Sequence, residues 1–135
     1  MTLLVNSPGG PLDAGVAVVD VLDLLGAPVE ATCIGQAVGT AAVVVACATP
    51  GRRRAAPHAR LSLRLAEDRL EGPAGRLERE AAELLAARDR LVDRLVTATG
   101  RPRDEVAEAT DRGPLLSAAE AVAAGLVDEV AARRP

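Results

Sequence analysis

Apolar positions change their period several times along the chain, and each change marks an element. Leu3 to Val5 is a short apolar run stopped by Asn6-Ser7-Pro8-Gly9-Gly10. Leu12, Val16, Val19, Leu22 and Leu25 then recur at helical spacing, which predicts strand, glycine turn and helix. Val29 to Ile34 is a second strand-like run, followed by Gly35-Gln36-Ala37-Val38-Gly39 and a small-residue apolar stretch, Thr40 to Ala48, that suits a buried helix. A turn around Pro57 precedes a third strand, expected from Arg60 to about Leu65 with Leu61, Leu63 and Leu65 on one face. From about Arg76 to Thr99 the pattern is that of one long helix, with Leu77, Ala81, Leu84, Leu85, Leu91, Val92 and Leu95 on one side, ended by Gly100. Pro102 fits the first turn of a short helix through Ala109. Ser117-Ala118-Ala119-Glu120 has the form of a capping box opening a helix that stops at Gly125, and Leu126 to Val130 closes the chain as a strand. The repeated strand-turn-helix units predict a layered α/β fold, one domain over residues 1–135, with the long helix projecting from it or packing across it.

Composition narrows the function. With 135 residues, 49% of them apolar, the chain can bury one core but not two. A net charge of −3, with acids and bases interspersed, offers no basic stripe for a phosphate backbone, so nucleic acid is excluded as a partner. No apolar stretch reaches the roughly eighteen residues of a membrane span, and Met1 leads into a strand-like run rather than a charged leader, so a cytoplasmic protein is expected. There are no aromatic residues and no lysine, so Val, Leu and Ala must fill the core. Cys33 and Cys47 lie inside apolar runs, with neither CxxC spacing nor clustered histidines; they read as buried small hydrophobes, and no metal site is expected. The run Arg52-Arg53-Arg54 reads as a solvated turn, and so does His58, the only histidine.

Taken in order and spacing, Asn6-Ser7-Pro8-Gly9-Gly10, Cys33-Ile34-Gly35-Gln36-Ala37, Thr99-Gly100, Thr110-Asp111-Arg112, Ser117-Ala118-Ala119-Glu120-Ala121 and Gly125-Leu126-Val127-Asp128 resemble the proteolytic subunits of Clp proteases, the ClpP family of serine peptidases. Related crotonase-fold enzymes share the strand-turn-helix unit but not this string. The resemblance implies a ClpP/crotonase-like fold whose long helix belongs to a protruding handle, about residues 65–99. It also implies assembly with ClpP-type subunits into homo- or hetero-oligomeric stacked rings, fed by a Clp ATPase unfoldase. ATP would be used by that unfoldase, and this chain would carry no cofactor. Gly9 and Gly10 would lie in the loop lining the oxyanion hole, with Thr40 beside it. Leu77, Leu84 and Leu85 on the handle, and Asp111 and Arg112 near the ring-ring contact, would serve assembly.

At the chemical positions this sequence departs from the family. The nucleophile position is Gly39. The base position, in the family's His-Gln-Pro string, falls on Arg64 in Arg64-Leu65-Ala66, and the acid position falls on Gly113. Arg stays protonated and cannot accept a proton. Thr40 and Ser62 have no base beside them, His58 is about 20 Å from Arg64 along an extended strand, and without lysine a Ser-Lys dyad is excluded. The resemblance also implies that the family's N-terminal elements, including the axial-pore loop and the first strand and helix, would be absent, so a sheet edge and apolar surface are expected to lie uncovered. The leading expectation is a proteolytically inactive structural or regulatory pseudosubunit. The alternatives are an active serine endopeptidase subunit, a truncated, decayed paralogue without a partner, and a crotonase-like binder of acyl-CoA.

Overall fold

The computed structural model describes residues 1–66 and 70–134. In chain order its elements are β1 (Thr2–Ser7), α1 (Leu12–Leu24), β2 (Glu30–Val38), α2 (Thr40–Ala46), β3 (Arg53–Ala55), β4 (Arg60–Ser62), α3 (Ala74–Thr99), α4 (Arg103–Arg112), β5 (Leu116–Ser117), α5 (Ala118–Ala123) and β6 (Glu129–Val130). This is the mixed α/β architecture expected of the fold class.

β2 is the spine of the sheet. β1 runs parallel along one side of it, and the other side is shared end to end by β3, beside Ala31 to Cys33, and β4, beside Gln36 to Val38. β6 extends the sheet beyond β3 in parallel, and β5 closes beyond β4 in antiparallel. The β1–β2 register slips between Val5 and Ser7. Gly35, at φ +67°, takes up the slack, and the Asn6 amide oxygen accepts the Gln36 N–H there at 3.3 Å. A Cβ on Gly35 would stand 2.7 Å from that oxygen, so the bulge requires glycine.

The core forms where α2 lies on the sheet. Ala31, Cys33 and Ala37 of β2 and Ala42, Val43, Val45 and Ala46 of α2 are all fully buried. Their small side chains let helix and sheet approach closely, which is how a chain without aromatic rings closes its interior. α1 covers α2 through Leu12, Gly15 and Val19. A Cβ on Gly15 would come within 2.6 Å of the Thr40 methyl, so the two helices touch backbone to side chain there.

The fully buried residues of α3 lie in its C-terminal half, while Leu84 packs against the core from the side. Leu91, Val92 and Leu95 are buried, Leu77 and Leu84 are half-buried, and Leu85 is 64% exposed. Arg94 clamps the buried half to α1 by hydrogen bonds of 2.8–3.0 Å to Asp23. Gly100, at φ +68°, stops the helix as expected. Of the expected handle, 67–69 lie outside the described residues.

Three sequence expectations change. The arginine run is not a solvated turn throughout: Arg53 and Arg54 open β3, and Arg53 is buried while Arg52 stays exposed before the strand. The strand expected to reach Leu65 ends at Ser62, because β2 ends at Val38 and Leu65 donates instead to the Thr110 carbonyl at 2.9 Å. Leu61, Leu63 and Leu65 are nevertheless all buried. The closing strand shrinks to Glu129–Val130, since Leu126 and Val127 are taken into the core before it starts. Exposed apolar surface does occur around β1 and α1, at Leu4, Val21 and Leu24, and among the described residues β1 has no strand on its outer side.

Candidate functional site

Two strand-to-helix turns meet at the C-terminal ends of β1 and β2, and between them opens a cleft of about 530 Å³. Pro8, Gly9 and Gly10 form one wall. Val38, Gly39 and Thr40 form the floor, Arg64, Leu65 and Ala66 the other wall, and Arg88 of α3 and Asp111 of α4 the rim. Gly9 has φ +96°, and a Cβ there would lie 2.5 Å from the Val38 carbonyl oxygen; the first turn presses on the end of β2 as only glycine permits. Gly39 has φ +62° and ψ −125°, and donates its N–H to the Ser62 carbonyl at 2.8 Å. A side chain on it would project beside the Arg64 carbonyl oxygen, 3.2 Å from the Cβ.

The backbone donors of the glycine turn are already engaged. Gly9 N–H donates to Ser7 Oγ at 3.1 Å, and Gly10 N–H donates to Thr40 Oγ1 at 2.9 Å. Thr40 is 7% exposed and returns its own hydroxyl proton toward the Gly10 carbonyl at 3.4 Å. Its hydroxyl therefore serves the turn.

Among the described residues, the ionisable side chains lining the cleft are Arg64, Arg88 and Asp111. Asp111 lies 3.4 Å from the Arg112 guanidinium in an exposed pair at the end of α4. Ser62 is buried and spent on structure, donating to the Gly113 carbonyl at 3.3 Å and accepting from the Arg64 N–H at 3.2 Å. His58 lies exposed in the turn before β4. Burial pushes both cysteine thiols up to about 11, so neither offers a thiolate near neutral pH. Among the described residues no group of three or more His, Cys, Asp or Glu could hold a metal ion.

The structure thus brings Gly9, Gly10, Gly39, Thr40 and Arg64 into one cleft and adds Asp111. It sets Gly113 apart: that residue borders a separate cavity of about 190 Å³ with Leu63, Val106 and Leu126. A Cβ on Gly113 would run into the Ala109 carbonyl oxygen, so the last turn of α4 has closed over the space a side chain would need. Leu84 and Leu85 border an apolar groove of about 610 Å³ with Leu12, Val92 and Ala107, which joins the cleft at Arg88 and Asp111. Leu77 is half-buried nearer the start of α3. Sequence reasoning missed Arg88. The available signal was its position four residues from both Leu84 and Val92, on the helix face that lines the groove.

A family model described as Clp protease matches residues 1–134. ATP-dependent Clp protease proteolytic subunit 1 of Chlamydia muridarum is 38% identical over 132 residues, 96% of this chain and 69% of that protein. ATP-dependent Clp protease proteolytic subunit 2 of the same organism is 35% identical over 128 residues, and that of Chlamydia pneumoniae 34% over 128. Both of these matches cover 95% of this chain, which spans 63% of each of those two proteins. The family match over residues 1–134 and the identity to these proteolytic subunits show that the chain belongs to the Clp protease family.

Proposed function

We propose that this chain is a proteolytically silent subunit of a Clp protease assembly, with a structural or regulatory role in rings shared with active proteolytic subunits. The observation that carries this reading is Gly39. At a strand-to-helix turn with φ +62°, opening into the cleft, it supplies no hydroxyl. The neighbouring Thr40 hydroxyl is bonded to the glycine turn, and Arg64, at the expected base position, cannot take a proton. Removing one member of a serine-protease triad typically loses on the order of 10⁶ in turnover, so three absences leave nothing measurable by that route.

On this reading ATP is consumed by a partner unfoldase, and the chain works in the cytoplasm without a cofactor. No helix among the described residues is long and apolar enough to cross a membrane. A second reading, an active peptidase subunit, draws support from the names of the relatives, and one assay separates the two. Fluorogenic peptide is offered to the chain alone and to the chain mixed with an active Clp proteolytic subunit, with complexes sized by light scattering. Silence alone together with co-assembly in the mixture supports the proposal; turnover by the chain alone defeats it.

A further inference from the structure

We propose that the cleft at Gly39 binds peptides through a free C-terminal carboxylate and holds them uncleaved. The inference deepens the reading of a silent subunit and rests on it. Two guanidiniums, those of exposed Arg64 and half-buried Arg88, belong to residues lining one cleft, and among the described residues neither forms an ion pair. Among the described residues one carboxylate shares the cleft, that of Asp111, which is paired with Arg112 at 3.4 Å.

The rest of the cleft decides which part of a peptide is recognised. A carbonyl oxygen in mid-chain would need backbone N–H donors. Those of Gly9 and Gly10 are taken by Ser7 and Thr40. For an anionic group the cleft offers two arginines, whose planar fork matches a carboxylate with two parallel hydrogen bonds. The space for the chain behind the carboxylate is present: Gly39 leaves the floor bare, and the apolar groove along Leu84 and Val92 opens from the cleft at Arg88. A peptide whose last residue meets the arginines can lay its apolar side chains in that groove.

The test is fluorescence anisotropy with an N-terminally labelled, Leu- and Ala-rich hexapeptide in three forms: free C-terminal acid, C-terminal amide, and amide with one internal Glu. Charge-assisted bidentate bonds make the acid form bind about tenfold or more tighter than the amide, with a preference that weakens as salt rises. Arg64→Gln and Arg88→Gln should each bring the acid close to the amide while leaving amide binding and the thermal melt unchanged. Equal affinity for acid and amide, no binding of either, or a preference untouched in both variants overturns the proposal. An internal-Glu amide that binds as tightly as the free acid overturns the C-terminal assignment. Co-assembly with an active subunit is measured on the same samples. Assembly without carboxylate preference removes the cleft proposal alone, whereas hydrolysis of the peptide by this chain removes the silent-subunit reading as well.

Discussion

The guanidinium of Arg53 gathers the ends of three helices. It donates to the carbonyls of Ala46 at the end of α2, Ala98 at the end of α3 and Gly125 just past α5, at 3.0–3.2 Å, and pairs with Asp128 through Nε at 3.0 Å and Nη2 at 2.7 Å. Helix C-termini carry partial negative charge and unpaired carbonyls, so one buried cation answers all three. Arg53→Ala leaves those carbonyls and Asp128 without their partner and should lower stability by about 3–5 kcal/mol, read from denaturant melts. The Arg53 side chain, with the N–H groups of Arg53 and Gly51, holds the Asp128 carboxyl below its usual range. That contribution is complete above the ordinary carboxyl value near ~4 and is lost as pH falls through the depressed one. Asp128→Asn should therefore be destabilising at neutral pH and flatten the acid limb of the stability curve. Gly113 makes the opposite case, since its missing side chain has become part of the packing. Gly113→Asp should lower stability by about 1–3 kcal/mol through overpacking, read from the same melts, before any chemistry is considered.

Among the elements, those with a local signature were legible from the sequence. The Ser117 cap has both halves of its box, Ser117 Oγ accepting the Glu120 N–H at 3.2 Å and Glu120 accepting the Ser117 N–H at 3.0 Å. Ser117→Ala should cost about 1 kcal/mol in the same melts. Helices α1, α2 and α3 and the glycine turns were equally readable, because periodicity and φ-positive glycines are properties of short segments. β3 was not. One of its two inward residues is an arginine, and the carbonyls that make its burial favourable come from residues up to 72 positions away in sequence. β5 was missed because two residues carry no period. At the site, the glycine turns and Arg64 could be placed from sequence, while Arg88 and Asp111 enter only through the packing of α3 and α4. The groove face of α3 separates folding from assembly. Leu84 packs against the core, so Leu84→Asp should disturb both, whereas 64%-exposed Leu85 should transmit only assembly. Leu85→Asp is expected to leave the circular dichroism melt in place and weaken association with a Clp proteolytic subunit in light scattering.

The whole molecule is a Clp protease family chain whose cleft is lined by Gly39, Thr40 and Arg64. On the proposed reading Gly39, Arg64 and the engaged glycine turn are what silence that cleft. The measurement that tests this most directly is size-exclusion chromatography with light scattering on the chain, alone and mixed with an active Clp proteolytic subunit from the same source, with peptide hydrolysis assayed in every fraction. The account predicts a shared complex, with hydrolysis confined to fractions that contain the active subunit. Hydrolysis in the fractions of this chain alone would contradict it.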